Sequence, residues 1–170
     1  DFSSAALVVA LENAQFHQAN IAFFQASWLD CVAANSLDIL VSNPPYIEEN
    51  DAHLVDLRFE PISALVAKNQ GLADIITIST QAWRILKPGA RLYIEHGFQQ
   101  GQAVRDIFKQ QGFVNIITQK DGFGNTLGTL SIVGPYQSLT VTASGTVLIN
   151  PLIIAKNNSN CPPELFLRQT

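Results

Sequence analysis

Strand-like apolar runs alternate with helical periods along most of this chain. The runs are IAFFQ at 21–25, LDILV at 37–41, ARLYIEH at 90–96 and VNIITQ at 114–119, with GTLSIVG at 128–134 as a further candidate. Apolar residues at helical spacing occupy 1–20, 71–89 and 100–112. Strands that alternate with helices in this way favour an α/β fold with a largely parallel sheet.

Local signals mark where these helices begin and end. Ser3 or Ser4 is expected to cap the first helix, because a hydroxyl accepts from the unpaired N–H groups of the first turn. The Lys87-Pro88-Gly89 run is expected to stop the second helix. Gly112 is expected to act as the C-cap of the third, since glycine tolerates the left-handed conformation found there.

The run 37–41 stops abruptly at Ser42-Asn43-Pro44-Pro45-Tyr46. Two successive prolines cannot continue a strand ladder, because neither carries an N–H. A simple turn is one interpretation, since Asn-Pro commonly starts turns. A fixed tetrapeptide arises by chance on the order of once in a thousand chains of this length, however. Ligands of open α/β sheets bind at the carboxyl ends of parallel strands, so we favour a functional role for this stop.

The residues at this strand end suit the binding of a planar amide or aromatic amine. The Asn43 side-chain oxygen and the Pro44 carbonyl are two acceptors for an –NH2 group, and they favour the localised lone pair that develops in a transition state. The paired prolines hold the Pro44 carbonyl rigidly, and Tyr46 offers an aromatic face for stacking. The sequence therefore predicts a methyl-acceptor pocket of Asn43, Pro44, Pro45 and Tyr46. Asn43 and Pro44 are its expected catalytic residues, and no general base is required.

The segments SNPPYIEENDAHL, DLRFEPISALVA and YIEHGFQQG resemble the protein-glutamine N5-methyltransferases that modify release factors. The resemblance runs from Asp1 to about Gly128, and the run 58–61, RFEP, favours this branch over others that share Asn-Pro-Pro-Tyr. It implies a Rossmann-like class I methyltransferase sheet with helices on both faces. It also implies S-adenosylmethionine as the cofactor and a peptide chain release factor as the protein substrate.

The resemblance assigns three residues to the cofactor. Asp1 falls where the family binds the ribose hydroxyls, although it also suits a helix N-cap. Trp28 matches the aromatic residue beside the adenine, and a plain core tryptophan is an equal alternative. Asn43 would contact both the cofactor and the glutamine. Ser27 departs from the family, which commonly has an acidic residue there.

Other candidates keep two interpretations. Arg58 and Glu60 would either contact the substrate protein or pair with each other. His96 invites a catalytic role, but a histidine at a strand end is more often structural.

The resemblance breaks at both ends of the chain. The family's first strand and glycine-rich cofactor loop would lie before Asp1, so residues 1–134 are expected to form a partial catalytic domain. Residues 1–170 alone are then expected to bind S-adenosylmethionine weakly or not at all. The low-charge tail, 135–170, is expected to be either an irregular β appendage, with TVLINPLII as a weak β run, or poorly ordered. A shifted reading frame and a divergent terminus are two explanations for it.

Charge and cysteine content narrow the classes of function. A net charge of −4 and a pI near 5.2 leave no basic footprint for nucleic acid. This counts against the alternative of an adenine-N6 nucleic-acid methyltransferase; an inactive methyltransferase fragment is the third interpretation. Two cysteines make neither a disulfide framework nor a metal site, and no apolar run reaches membrane-spanning length. We therefore expect a monomeric cytoplasmic protein without a metal, a nucleic-acid partner or a membrane partner.

Overall fold

The computed structural model describes residues 1–119 in full and the backbone of 120, 126–133 and 153–154. The helices are α1 (Ser4–Phe16), α2 (Lys68–Gly71), α3 (Ala73–Ile85) and α4 (Gly101–Gln110), with 3₁₀ helices at Ala52–Val55 and Ile62–Ala64. The strands are β1 (Leu37–Ser42), β2 (Leu86–Glu95), β3 (Phe113–Lys120), β4 (Thr126–Val133) and β5 (Ile153–Ile154). In this described part of the chain, no helix has the length and apolar character needed to cross a membrane.

The described strands form one sheet in the order β3-β4-β2-β1-β5. β1 and β2 are parallel, with Ser42 beside Ile94. β4 is antiparallel to both β2 and β3, so β3 points in the same direction as β1 and β2. The α/β class expected from the sequence is confirmed. The described sheet is mixed rather than largely parallel, because only β1 and β2 pair parallel, while β4 pairs antiparallel with β2 and β3 and β5 pairs antiparallel with β1. Apart from β5, the tail from 135 onwards lies outside the described residues.

The core lies between one face of the sheet and helices α3 and α4. Along β2 the buried side chains alternate, Leu92 and Ile94 being buried while Tyr93 between them is half-buried. Because successive strand residues point to opposite faces, this pattern directs every second residue of β2 into the core. Val104 and Phe108 of α4 are fully buried against the same cluster. Burial of each such side chain contributes about 1.5–3 kcal/mol, which fixes both helices on this face.

The expected cap at the start of α1 is confirmed, whereas the cap at the end of α4 lies one residue before the expected Gly112. The Ser3 hydroxyl accepts a hydrogen bond of 3.2 Å from the N–H of Ala6 and so caps α1. After α4, Gln111 is the cap residue, and Gly112 follows it with φ of +91°. The N–H of Gly112 donates to the carbonyl of Lys109, as expected for a left-handed residue that ends a helix.

Two expected elements differ in the structure. Residues 21–25 do not form a strand; within them only Phe24 makes an isolated bridge. A strand needs a neighbouring ladder, and the described residues offer this run none.

The second difference is the end of α3, which comes at Ile85 rather than at Lys87-Pro88-Gly89. Leu86–Gly89 instead opens β2. The register jumps from Leu86 beside Leu37 to Arg91 beside Ile39, so the proline lies in a bulge. Lys87 forms an ion pair of 2.7 Å with Asp38 of β1, a tertiary contact that helical spacing does not encode.

Candidate functional site

The Asn43-Pro44-Pro45-Tyr46 run, here called the NPPY loop, directly follows β1. Since β1 and β2 are parallel and Ser42 pairs with Ile94, the loop leaves the sheet beside Glu95, the last residue of β2. The turn that connects β2 to α4 begins at the same edge. The loop therefore lies where two parallel strands end, which is the usual ligand-binding position in such sheets.

Two hydrogen-bond acceptors of the NPPY loop are open. Asn43 is half-buried and Pro44 is buried. Among the described residues, no hydrogen-bond donor pairs with the Asn43 side-chain oxygen or with the Pro44 carbonyl. Buried polar groups are nearly always paired in folded proteins. Both acceptors lie at the carboxyl end of β1, where ligands of such sheets usually bind.

Tyr46 is held at the edge through its hydroxyl. The hydroxyl donates a hydrogen bond of 3.2 Å to Glu95 Oε1. Burial raises the pKa of Tyr46, and the Glu95 carboxylate raises it further. Burial also raises the pKa of Glu95, while the hydrogen bond from Tyr46 opposes this shift. The phenol thus remains a donor at neutral pH, and its ring is oriented by the last residue of β2.

The residues just after the NPPY loop anchor it to the rest of the chain. Ile47 forms a parallel bridge with Val66. Its N–H donates to the Leu65 carbonyl, and its carbonyl accepts from the N–H of Ala67, both at 3.0 Å. The chain then passes through α2, where Gly71 has φ of +77° and no side chain to obstruct the Tyr46 carbonyl. A Cβ at Gly71 would lie 2.0 Å from that oxygen, so only glycine permits this approach.

Trp28 contacts the first turn of α3 through Asp74. Its φ of +46° is rare for a bulky residue, and such outliers occur at functional sites. The indole packs against the core, as its structural interpretation predicts, and its N–H donates to Asp74 in the first turn of α3. Burial raises the pKa of Asp74. Gly71, which lies close to the Tyr46 carbonyl, comes three residues before Asp74, so the NPPY loop and Trp28 both meet the chain around the start of α3.

α3 also fixes the backbone around Trp28. The N–H of Leu29 donates to Gln81 Oε1 at 3.0 Å, and the Arg84 guanidinium donates to the Val32 carbonyl at 3.0 Å. The position of the indole is therefore set by the helix that packs on β1 and β2. Its contact with an adenine remains a prediction.

Asp1 is connected to the segment that leads to Trp28. Its carbonyl accepts from the N–H of Ala26 at 3.0 Å. One carboxylate oxygen accepts from the N–H of Ser3 at 2.7 Å. Because Ser3 itself caps α1, the alternative of Asp1 as the N-cap is wrong. Its contact with a ribose remains a prediction, and Ser27, which departs from the family pattern, is exposed nearby.

The remaining candidate residues are Arg58, Glu60 and His96, and the contacts of Arg58 and His96 agree with structural roles. The Arg58 guanidinium carbon lies 4.9 Å from the centre of the Phe59 ring, and no ion pair to Glu60 occurs in the described residues. His96 is 2% exposed and its Nδ1–H donates to the Gly97 carbonyl, while burial lowers its pKa. A structural role for His96 agrees with this geometry. Within the described part of the chain, no cluster of three or more His, Cys, Asp or Glu side chains could hold a metal ion.

Sequence reasoning missed three residues of this site: Asp74, Glu95 and Gln100. Glu95 ends the strand adjacent to β1, and the rule that parallel strands end at one edge could have identified it. Asp74 and Gln100 act through residues far away in sequence. No local pattern indicates those contacts.

Comparison with known proteins identifies sequence relatives of the chain. No protein-family model matches the chain. It is 49% identical over 134 residues to the release factor glutamine methyltransferase of Vibrio cholerae, covering 76% of this chain and 47% of that protein. The proteins of the same name from Pasteurella multocida and Escherichia coli are each 44% identical, over 133 and 129 residues. The chain therefore spans about half the length of these curated relatives.

A solved structure supports the fold alone. A possible exported protein from Bordetella parapertussis superposes with a TM-score of 0.51 at 16% identity, covering 78% of this chain and 51% of that one. The sequence relatives carry the functional comparison. Over the matched three quarters of its length, the chain is similar to proteins named release factor glutamine methyltransferase, at 44–49% identity.

Proposed function

We propose that the protein transfers a methyl group from S-adenosylmethionine to the side-chain amide nitrogen of a glutamine in a peptide chain release factor. The observation that carries this proposal is the pair of open acceptors, Asn43 and Pro44, at the shared end of β1 and β2. The names of the sequence relatives supply the class of substrate.

The two acceptors match the two hydrogens of a primary amide. An amide nitrogen attacks poorly because its lone pair is delocalised into the carbonyl. Acceptors around the –NH2 orient it and favour the localised lone pair that develops in the transition state. The Tyr46 ring, oriented by its bond to Glu95, supplies a face on which the planar amide stacks. These residues therefore bind and orient the acceptor without a general base.

The cofactor, when bound, supplies a methyl group activated by its sulfonium charge. The half-buried Asn43 side-chain oxygen, at the end of β1, could accept a hydrogen bond from the cofactor. In this proposal Asp1 receives the ribose hydroxyls and Trp28 lies along the adenine, with Asn43 between cofactor and substrate. We also propose that the protein acts as a cytoplasmic monomer without a nucleic-acid or membrane partner; the net charge of −4 favours the absence of a nucleic-acid partner.

A methyl-transfer assay tests the function. The full-length protein is incubated with S-adenosylmethionine and a release factor domain, and peptide mass spectrometry locates any added methyl group. We expect methylation at one glutamine, and none when that glutamine is replaced by alanine. Asn43→Ala should reduce turnover roughly 10²–10³-fold, because one preorganised transition-state contact is lost.

Two controls make the outcome decisive. Asn50→Ala changes an exposed asparagine downstream of the NPPY loop and should leave turnover unchanged. An adenine-containing oligonucleotide serves as the competing acceptor. Methylation of the oligonucleotide instead of glutamine would favour an adenine-N6 methyltransferase, and methylation of neither would favour an inactive fragment.

A further inference from the structure

Gln100 joins three separate backbone segments at the edge of the candidate site. Its side-chain Nε2 donates to the Tyr46 carbonyl at 3.0 Å and to the Gln70 carbonyl at 2.9 Å. Its Oε1 accepts from the N–H of Gly97 at 2.8 Å. Both amide hydrogens and the amide oxygen therefore have partners, and the orientation of the amide is determined by them.

The surroundings leave little freedom for this arrangement. A Cβ at Gly71 would lie 2.6 Å from the Gln100 Nε2, and a Cβ at Gly97 would lie 3.1 Å from its Oε1. The chain just before Gly71 is unusual, since Asn69 and Gln70 have φ of +56° and +55°. This conformation presents the Gln70 carbonyl to the Gln100 amide. A strained turn persists only where its surroundings hold it.

We propose that Gln100 is a positioning residue that fixes the NPPY loop against the end of β2. The proposal rests on the proposed function, because the residues that it positions, Asn43 and Pro44, are those that bind the acceptor amide. Gln100 does not contact the substrate in this scheme. It acts through the Tyr46 backbone, three residues after Asn43, and it connects the loop to the start of α4.

Two variants separate the contacts. Gln100→Ala removes all three hydrogen bonds. Gln100→Glu has the same shape and retains an acceptor for the Gly97 N–H, but its second oxygen faces the Tyr46 and Gln70 carbonyls and cannot donate to them. If Gln100 only braced the turn at Gly97, Gln100→Glu would be harmless. If it positions the NPPY loop, both variants should lose loop order and turnover to a similar extent.

Amide hydrogen exchange measures the order of the loop without any substrate. We expect the N–H groups of Ile47 and Ala67, which bridge the segment just after Tyr46, to exchange roughly tenfold faster or more in both variants. The N–H of Leu40 in β1 reports general stability and should be unaffected. Gln102→Ala is the matched control, because the Gln102 side chain bonds Asp106 and Arg105 of its own helix. Unchanged protection at Ile47 and Ala67, or an equal loss at Leu40, would overturn the proposal.

Turnover then tests the consequence for the reaction. Misplacement of reacting groups by about 1 Å can cost roughly 10²-fold. We therefore expect kcat to fall on that order in both variants, with a smaller change in KM for the cofactor. A loosened loop with normal kcat would overturn the positioning role. If the wild-type protein methylates no glutamine, the proposed function fails, while the exchange experiment still decides whether Gln100 holds the loop.

Discussion

The Tyr46 hydroxyl donates a hydrogen bond of 3.2 Å to Glu95 Oε1, and so connects the NPPY loop to the last residue of the neighbouring parallel strand. The sequence assigns a role only to the aromatic face of Tyr46. The structure adds a role for the hydroxyl, which orients the ring and shields a half-buried carboxylate. Face and hydroxyl therefore make separate contributions that mutation can distinguish.

Replacement of Tyr46 separates these contributions. Tyr46→Phe should lower the free energy of unfolding by about 1 kcal/mol, because Glu95 loses its donor, while turnover falls little. Tyr46→Ala should lose most of the turnover as well, since the stacking face is removed. Urea unfolding and the methylation assay provide the two measurements. Tyr93→Phe, a half-buried tyrosine on β2, is the control. Equal loss of turnover in the Phe and Ala variants would show that the hydroxyl itself acts in the reaction.

Glu95 should make stability depend on pH. Because burial raises its pKa, the folded protein retains a proton that the unfolded chain, with an ordinary value near 4.5, has already released. The contribution of Glu95 to the free energy of unfolding is thus complete below 4.5 and is lost as pH rises through the raised folded value.

Glu95→Gln cannot ionise and isolates this effect. The free energy of unfolding of the variant minus that of the wild type should increase between about pH 4 and about pH 7. Asp74, whose pKa is also raised by burial, is present in both proteins and cancels in the difference. Urea unfolding at the two pH values measures it. A difference that stays constant or decreases would contradict the predicted protonation of Glu95.

Gly71→Ala should disturb the NPPY loop directly. The new Cβ would lie 2.0 Å from the Tyr46 carbonyl, and φ of +77° is unfavourable for alanine. We expect a loss of roughly 1–3 kcal/mol in the free energy of unfolding, together with reduced turnover. Gly112→Ala is the matched control, since its φ is +91° but its neighbour is the Trp83 ring. Both variants should lose stability, and only Gly71→Ala should lose turnover while still folded; equal turnover would contradict the proposed close approach.

Tryptophan fluorescence tests the cofactor position. Trp28 and Trp83 are the two tryptophans of the chain. If Trp28 lies along the adenine, added S-adenosylmethionine should change the emission of the wild type and of Trp83→Phe, but not that of Trp28→Phe. Stacking on an aromatic ring is the physical reason. A change that is retained in Trp28→Phe would contradict the cofactor position assigned here, whereas no change in any of the three proteins would agree with the weak cofactor binding expected of residues 1–170.

Local sequence determined those features that depend on near neighbours. Ser3 caps α1 through the amide of Ala6, and Gly112 follows α4 in the left-handed conformation, because both effects act within one helical turn. The strand Leu37–Ser42 ends just before Asn43 and Pro44 for an equally local reason, the absence of an N–H in proline. The NPPY loop could therefore be placed at a strand end, and the family could be expected, from the sequence alone.

Only the tertiary structure decided which distant residues meet at that strand end. Residues 21–25 have a strand-like composition but form no ladder with the part of the chain that the structure describes, and Leu86–Gly89 joins β2 because β1 lies alongside it. Glu95 reaches Tyr46, and Gln100 reaches the Tyr46 carbonyl, across 49 and 54 positions of sequence. Such pairings depend on strand order and register, which arise from the packing of the whole sheet against α3 and α4. The acceptor residues could thus be predicted from their local pattern, whereas the contacts that hold them in place could not.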